Sequence, residues 1–233
     1  MKRLFVFLLI LGIYLNRSYA YFYNFLSQHS LVAPTHEETM IVGSSPRLQT
    51  IKYIALGDSL TAGVGVSDYK NSLAFTVAEN LSLKNNVELI NFARSGYTTK
   101  DVLENQLTEV ISENPNVITL LIGVNDLHNL KSLQEFENNY VQIINSLKKT
   151  NAKIYLLSIP YLGSKKIVYF PYNLILDFRT KQFNNVIKKI SFDYKIEFID
   201  LYSLKKSSDF YSEDQFHPGE NGYKEWVRMI NVN

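Results

Sequence analysis

Five short apolar runs, Ile51–Leu56, Val87–Phe92, Val117–Ile122, Lys153–Ile159 and Ile196–Leu201, recur along the chain with longer stretches between them. Several are continuously apolar rather than alternating, the pattern of strands covered on both faces. The stretches between them read as helices over Ser72–Leu83, Thr99–Ser112, Ser132–Thr150 and Leu174–Ser191. The clearest carries Phe136, Tyr140, Ile143, Ile144 and Leu147 at spacings of three and four. A last helix is expected over about Gly219–Met229, where Pro218 suits a helix start. Strands that alternate with helices need crossover connections, and these give a parallel sheet with helices on both faces. The expected fold is therefore α/β, a three-layer α/β/α arrangement around a five-stranded parallel sheet.

This domain is expected to occupy residues 49–233. Before it, Lys2 and Arg3 precede an apolar run from Leu4 to Leu15, and Ser18-Tyr19-Ala20 follows. A charged start, a short apolar stretch and small residues at −3 and −1 are the marks of a signal peptide over residues 1–20. The run rises only about 18 Å as a helix, short of a hydrocarbon core of about 30 Å. The other reading is an uncleaved signal anchor, favoured by the aromatic Tyr21-Phe22-Tyr23 just downstream. Residues 21–48 read as a linker or arm, without periodicity and punctuated by Pro34, Gly43 and Pro46. Export to the cell surface or beyond follows from either reading of the N-terminus.

Composition removes several functions. There is no cysteine, so thiol nucleophiles, disulfides and cysteine-bound zinc are out. The formal charge is +2, with no dense Lys/Arg stripe to bind nucleic acid. Removing residues 1–20 deletes Lys2, Arg3 and Arg17 and no acid, so 24 basic residues become 21 against 22 acidic ones. No His/Asp/Glu cluster has metal-ligand spacing, and no cofactor is expected. Gly63-Val64-Gly65 lacks the third glycine of a dinucleotide loop, and no Gly-x-Ser-x-Gly elbow occurs.

In open α/β sheets ligands bind beyond the carboxyl ends of the strands. After the first run comes Gly57-Asp58-Ser59-Leu60-Thr61-Ala62-Gly63, and after the second Ala93-Arg94-Ser95-Gly96. The third is followed by Gly123-Val124-Asn125-Asp126, and the fifth, after a connecting segment, by Asp214-Gln215-Phe216-His217. A serine hydroxyl needs a base, and the base needs an orienting group. Ser59, His217 and Asp214 can supply the three. The backbone N–H groups of Ser59 and Gly96 and the side-chain amide of Asn125 are candidate donors to an oxyanion. Asp58 and Asp126 read as turn-forming carboxylates.

These four blocks resemble, in order, those of the SGNH hydrolase (GDSL esterase/lipase) family, and the likeness runs over residues 51–226. It implies a flavodoxin-like sheet, Ser59 as nucleophile, Gly96 and Asn125 in the oxyanion hole, and Asp214 with His217 completing a triad. Many relatives have glycine where this chain has Gln215. The implied activity is cofactor-free hydrolysis of a carboxylic ester, with a small-molecule, lipid or glycan ester as substrate, near a membrane or cell wall. An acyltransferase or an O-deacetylase of cell-wall or capsular carbohydrate would use the same site, and a non-catalytic surface module would not need all three residues.

Two readings remain open for the segment from Pro160 to Phe178. Tyr161, Tyr169 and Phe170, with Tyr172 and Phe178, either form an acyl-binding wall or lid, or tuck onto the helices. His128 either lines the cleft or sits on the surface, and His29 and His36 are expected to be solvated in the arm.

Overall fold

A parallel strand must exchange its polar backbone with neighbouring strands, and the five expected strands do so in a computed structural model. The structure describes residues 2–161, 163–230 and 232. In chain order the elements are α1 (Lys2–Gln28), β1 (Thr39–Val42), β2 (Thr50–Gly57), α2 (Ser59–Ala62), α3 (Leu73–Ser82), β3 (Asn86–Asn91), α4 (Thr99–Asn105) and α5 (Leu107–Ser112). They continue with β4 (Val117–Leu121), α6 (Val124–His128), α7 (Leu133–Leu147), β5 (Lys153–Leu157), α8 (Tyr172–Tyr194), β6 (Glu197–Ile199) and α9 (Glu220–Met229).

Among the described residues the sheet has six strands in the order β1-β3-β2-β4-β5-β6. The five expected strands are β2 to β6, and their pairings with one another are all parallel. Ile54 stands opposite Ile90 on one side and Ile118 on the other. Ile54, Leu56, Ile118, Leu120 and Leu156 on one face and Tyr53, Ala55, Tyr155 and Leu157 on the other are wholly buried, so the core lies on both faces of these strands. The chain steps from β2 outward to β3, then returns across β2 to β4. That reversal opens a crevice at the carboxyl ends of β2 and β4, where ligands bind in such sheets.

The sixth strand comes from the arm, where the sequence gives no periodic signal. β1 pairs antiparallel with β3, Thr39 opposite Ile90 and Val42 opposite Val87, and covers that edge. The expected helix over Thr99–Ser112 is interrupted between α4 and α5 at Gln106, whose buried side chain donates from Nε2 to the Phe92 carbonyl at 2.8 Å.

The N-terminus brings the largest departure. The helix does not stop near Leu15 but runs on through Ser18-Tyr19-Ala20 to Gln28. Its first half is exposed all round, whereas Ser18 and Phe22 are buried against the domain. Among the described residues it is the one helix long and apolar enough to cross a membrane.

Candidate active site

β2 ends at Gly57 with φ +153°, where a Cβ would come within 2.2 Å of the Leu121 carbonyl oxygen and 2.5 Å of Thr61 Oγ1. Only glycine lets the strand turn there. Asp58 follows as the N-cap of α2, its Oδ1 accepting from the Leu60 N–H at 3.0 Å. Ser59 is thereby the first residue of a four-residue helix at the crevice, half-buried.

From the far end of the chain, His217 Nε2 accepts the Ser59 hydroxyl at 2.9 Å, and His217 Nδ1 lies 2.6 Å from Asp214 Oδ2. An ionised carboxylate only accepts, so Nδ1 carries the proton and Nε2 is the free base. The other carboxylate oxygen, Oδ1, takes hydrogen bonds from the Phe216 and His217 amides at 2.9 Å and the Ser212 hydroxyl at 2.7 Å. Burial pushes the Asp214 carboxyl up, but the His217 hydrogen bond and charge, with the Phe216 and Ser212 donors, outweigh it and hold the group below its usual range.

The turn carrying these residues settles the question posed by Gln215. Its φ is +59°, the left-handed conformation that glycine adopts most readily. That backbone costs a side chain about 1–2 kcal/mol. Here the Gln215 amide N–H and its side-chain Nε2 both donate to the Ser212 carbonyl, at 3.0 and 3.2 Å, and the Gln215 carbonyl accepts from Ser164 N at 2.7 Å. The turn geometry is kept without the glycine.

The two middle loops are held beside Ser59. Arg94 N donates to the Gly57 carbonyl at 3.2 Å, which sets the loop after β3 against the Ser59 turn. Gly96 has φ +83° and open space where a Cβ would be. Asn125, in the first turn of α6, donates from Nδ2 to the Tyr97 carbonyl at 2.8 Å. Asp126 accepts from Thr99 N at 2.9 Å and from Thr99 Oγ1 at 2.5 Å, pinning α6 to the start of α4. Asp58 is fully buried with Oδ2 unpartnered; burial, then the charge of Asp126, pushes its carboxyl up to about 7.

The remaining predicted residues are dispersed. Tyr161 lies on a cavity of about 640 Å³ with Ser164, Tyr202, Lys206, Tyr211 and Gln215; Ser59 and His217 are not among its lining residues. Lys206 donates to the Tyr161 carbonyl and to Tyr211 Oη, and burial draws its amine down to about 7. Tyr169 meets Tyr21 of α1, ring centroids 5.3 Å apart, and Phe170 is exposed, while Ile167 and Val168 tuck into the core. Phe178 stands on α8, not in a loop. His128 is half-buried, with Nδ1 buried and not hydrogen-bonded: its ring stacks on Phe22 and tilts against Phe216, at 5.3 and 5.4 Å. Burial, then the nearby His217, draws it down to about 4. His36, expected to be solvated, stacks its ring on Tyr69 at 4.1 Å.

Three contributors escaped the sequence reading. Ser212 clamps the Asp214 turn, and Gly65, at φ +105°, has the Pro218 carbonyl 2.2 Å from where its Cβ would be. The spacing of Gly63 and Gly65 was the available signal. Phe22 is wholly buried between His128, Tyr172 and Phe216, and its spacing of three and four from Ser18, Tyr19 and Leu26 was the available signal.

Comparison with known proteins places the chain among the carboxylic ester hydrolases. A model of the GDSL-like Lipase/Acylhydrolase family matches residues 55–225, and the chain belongs to that family. It is 29% identical over 201 residues to the spore germination lipase LipC of Bacillus licheniformis, covering 75% of this chain and 92% of that one. Among solved structures, the lipase/acylhydrolase from Enterococcus faecalis superposes with a TM-score of 0.63 at 23% identity, over 77% of this chain and 92% of the other. The acetyl xylan esterase AlAXEase gives a TM-score of 0.62 at 25% identity, over 77% of this chain and 97% of the other.

Proposed function

We propose that the chain hydrolyses carboxylic esters through a Ser59 acyl-enzyme. The observation that carries the reading is the line from Asp214 through His217 to Ser59, with contacts of 2.6 and 2.9 Å. Ser59 Oγ attacks the ester carbonyl carbon as His217 Nε2 takes the hydroxyl proton, and the carbonyl π pair moves onto oxygen. The Ser59 and Gly96 amides and the second N–H of Asn125 Nδ2 receive that oxyanion; losing one such donor costs about 100- to 1,000-fold in turnover. Collapse expels the alkoxide, which leaves with the proton from Nε2. Water then attacks the acyl-enzyme with His217 again as base, releasing the acid and Ser59. Asp214 keeps Nδ1 protonated throughout, and no cofactor enters.

Lipid esters are the first substrate class, supported by the lipase relative. O-deacetylation of carbohydrate is the second, supported by the likeness to an acetyl xylan esterase. The apolar N-terminal helix serves as a signal sequence or an anchor and carries the enzyme across the cytoplasmic membrane.

Wild type and Ser59→Ala should be compared on p-nitrophenyl esters of graded chain length and on acetylated glycans. Turnover is expected to fall at least 1,000-fold in the variant, and equal rates would refute the mechanism. A wild-type preference for acetylated glycan would select the deacetylase.

A further inference from the structure

α1 is built in two halves. Leu4, Phe5, Val6, Phe7, Leu8, Leu9, Ile10, Ile13 and Tyr14 are exposed around the whole circumference. A helix apolar on every side needs an apolar surrounding, and the domain does not supply one. From Leu15 onward the pattern becomes one-sided: Leu15, Ser18, Tyr19, Phe22, Tyr23 and Leu26 face the domain at spacings of three and four. This stripe crosses the Ser18-Tyr19-Ala20 motif without a break. Ser18 is buried inside the helix–domain contact with its Oγ bonded to the Leu15 carbonyl, so loss of residues 1–20 would strip part of this contact from the folded domain.

The domain presents a matching surface at the foot of this helix. Phe170 and Phe178 are 61% exposed and Leu174 57%, with Tyr169 and Ile175 beside them. Single exposed apolar residues are ordinary, but five within ten positions beside an apolar helix form a patch. Ring contacts tie the patch to both the helix and the site. Tyr169 meets Tyr21, Tyr172 meets Tyr19 and Phe22, Phe22 meets Phe216, and Phe216 meets the His217 ring at 5.0 Å. Tyr23 adds a hydrogen bond from its hydroxyl to the His128 carbonyl at 2.8 Å.

We infer that α1 is retained as a membrane anchor and that, with the rim formed by Tyr169, Phe170, Leu174, Ile175 and Phe178, it seats the catalytic edge on a lipid bilayer, whose embedded acyl esters are the substrate. The inference rests on ester hydrolysis at Ser59. The stretch free of the domain, Leu4 to Tyr14, rises about 17 Å, and with the rim seated among the headgroups and outer acyl chains it reaches most of the way through a hydrocarbon core of about 30 Å. Lys2 and Arg3 at one end and Arg17 near the other can extend their charged heads to the headgroups, and the exposed Tyr14 and Tyr21 lie at the domain end, where aromatic rings favour the interface.

Two measurements on the full chain test this. In cells, the protein should resist alkaline carbonate extraction from membranes, and its intact mass should include residues 2–20; a soluble product beginning at Tyr21 would overturn the proposal. In phosphatidylcholine/phosphatidylglycerol vesicles carrying a fluorogenic acyl ester, the pair Leu174→Glu and Phe178→Glu should lose at least tenfold in rate. On water-soluble p-nitrophenyl acetate the same protein should stay within twofold of wild type. Equal rates on the vesicle ester, or equal losses on both esters, would overturn the docking surface. The uncharged pair Leu174→Gln and Phe178→Gln should lose vesicle activity in the same direction but by less. Loss confined to the Glu pair would mean charge repulsion from anionic lipid and would also overturn it. A wild type inactive on both esters would instead refute hydrolysis at Ser59, while the extraction result still reports on the anchor.

Discussion

Asp58 and Asp214 hold the same functional group in opposite surroundings. Asp214 is stabilised as an anion by its donors, so its contribution to stability is present at neutral pH and is lost as pH falls below the ordinary carboxylate range. Asp58 is the reverse. Its folded value, about 7, lies above the 3.8 of the free side chain, so between these the native state binds more protons than the unfolded one. Its contribution is full below pH 3.8 and drains away as pH rises through 7. Asp58→Asn keeps an acceptor for the Leu60 amide and removes the titration. The difference in Tm between variant and wild type should therefore rise in the variant's favour from pH 4 to pH 8, as read by thermal denaturation at fixed ionic strength. A flat difference would show that Asp58 does not titrate in that window.

Turns and strand ends do most to assemble the site, and there a single Cβ matters. Gly65→Ala would press a methyl group onto the Pro218 carbonyl, directly after His217, at a φ of +105°. Backbone strain of about 1–3 kcal/mol is expected, and a shift of His217 should lower kcat about 10- to 100-fold with KM little changed. Steady-state kinetics and a melting curve check both; a Tm loss with unchanged kcat would place the strain elsewhere. At this scale the sequence was legible where burial imposed a pattern. β2, β4 and β5 are apolar because both faces are covered, and the polar residues after strand ends stand out against them. β1 was not legible, because four residues at a sheet edge with only Val42 buried carry no periodicity. Nor was the break at Gln106, where a tertiary hydrogen bond to Phe92 outweighs helix propensity. Ser212 escaped for a related reason: its bonds to Asp214 and His217 are made within a turn that leaves no compositional trace.

Across the whole molecule, the segments at the two ends of the sequence meet at one edge of the sheet. Phe22 and Phe216 are 194 positions apart and touch, with ring centroids 5.9 Å apart. Periodicity reports only on neighbours in sequence, which is why residues 21–48 read as a linker although Phe22 is core. Burying an aromatic side chain contributes about 1.5–3 kcal/mol. A chain beginning at Tyr21 retains Phe22 but loses Leu15, Ser18 and Tyr19 from the contact. We expect a loss of about 1–2 kcal/mol, or about 2–8 °C in Tm for a domain of this size, with the β-sheet signal in circular dichroism preserved. An unchanged Tm would mean that the upstream half of the stripe adds nothing to the fold.

The helix α1 runs from its exposed half into its docked half with no intervening loop. A flexible linker of 20 residues would let a tethered enzyme wander about 25 Å from its attachment point. This enzyme has no such slack. Held upright on the proposed anchor, it would sample only the leaflet on which it stands and would meet substrate by lateral diffusion in two dimensions. Its working concentration of membrane-embedded ester would then be counted per unit of membrane area, and such an ester held in a neighbouring vesicle would lie out of reach.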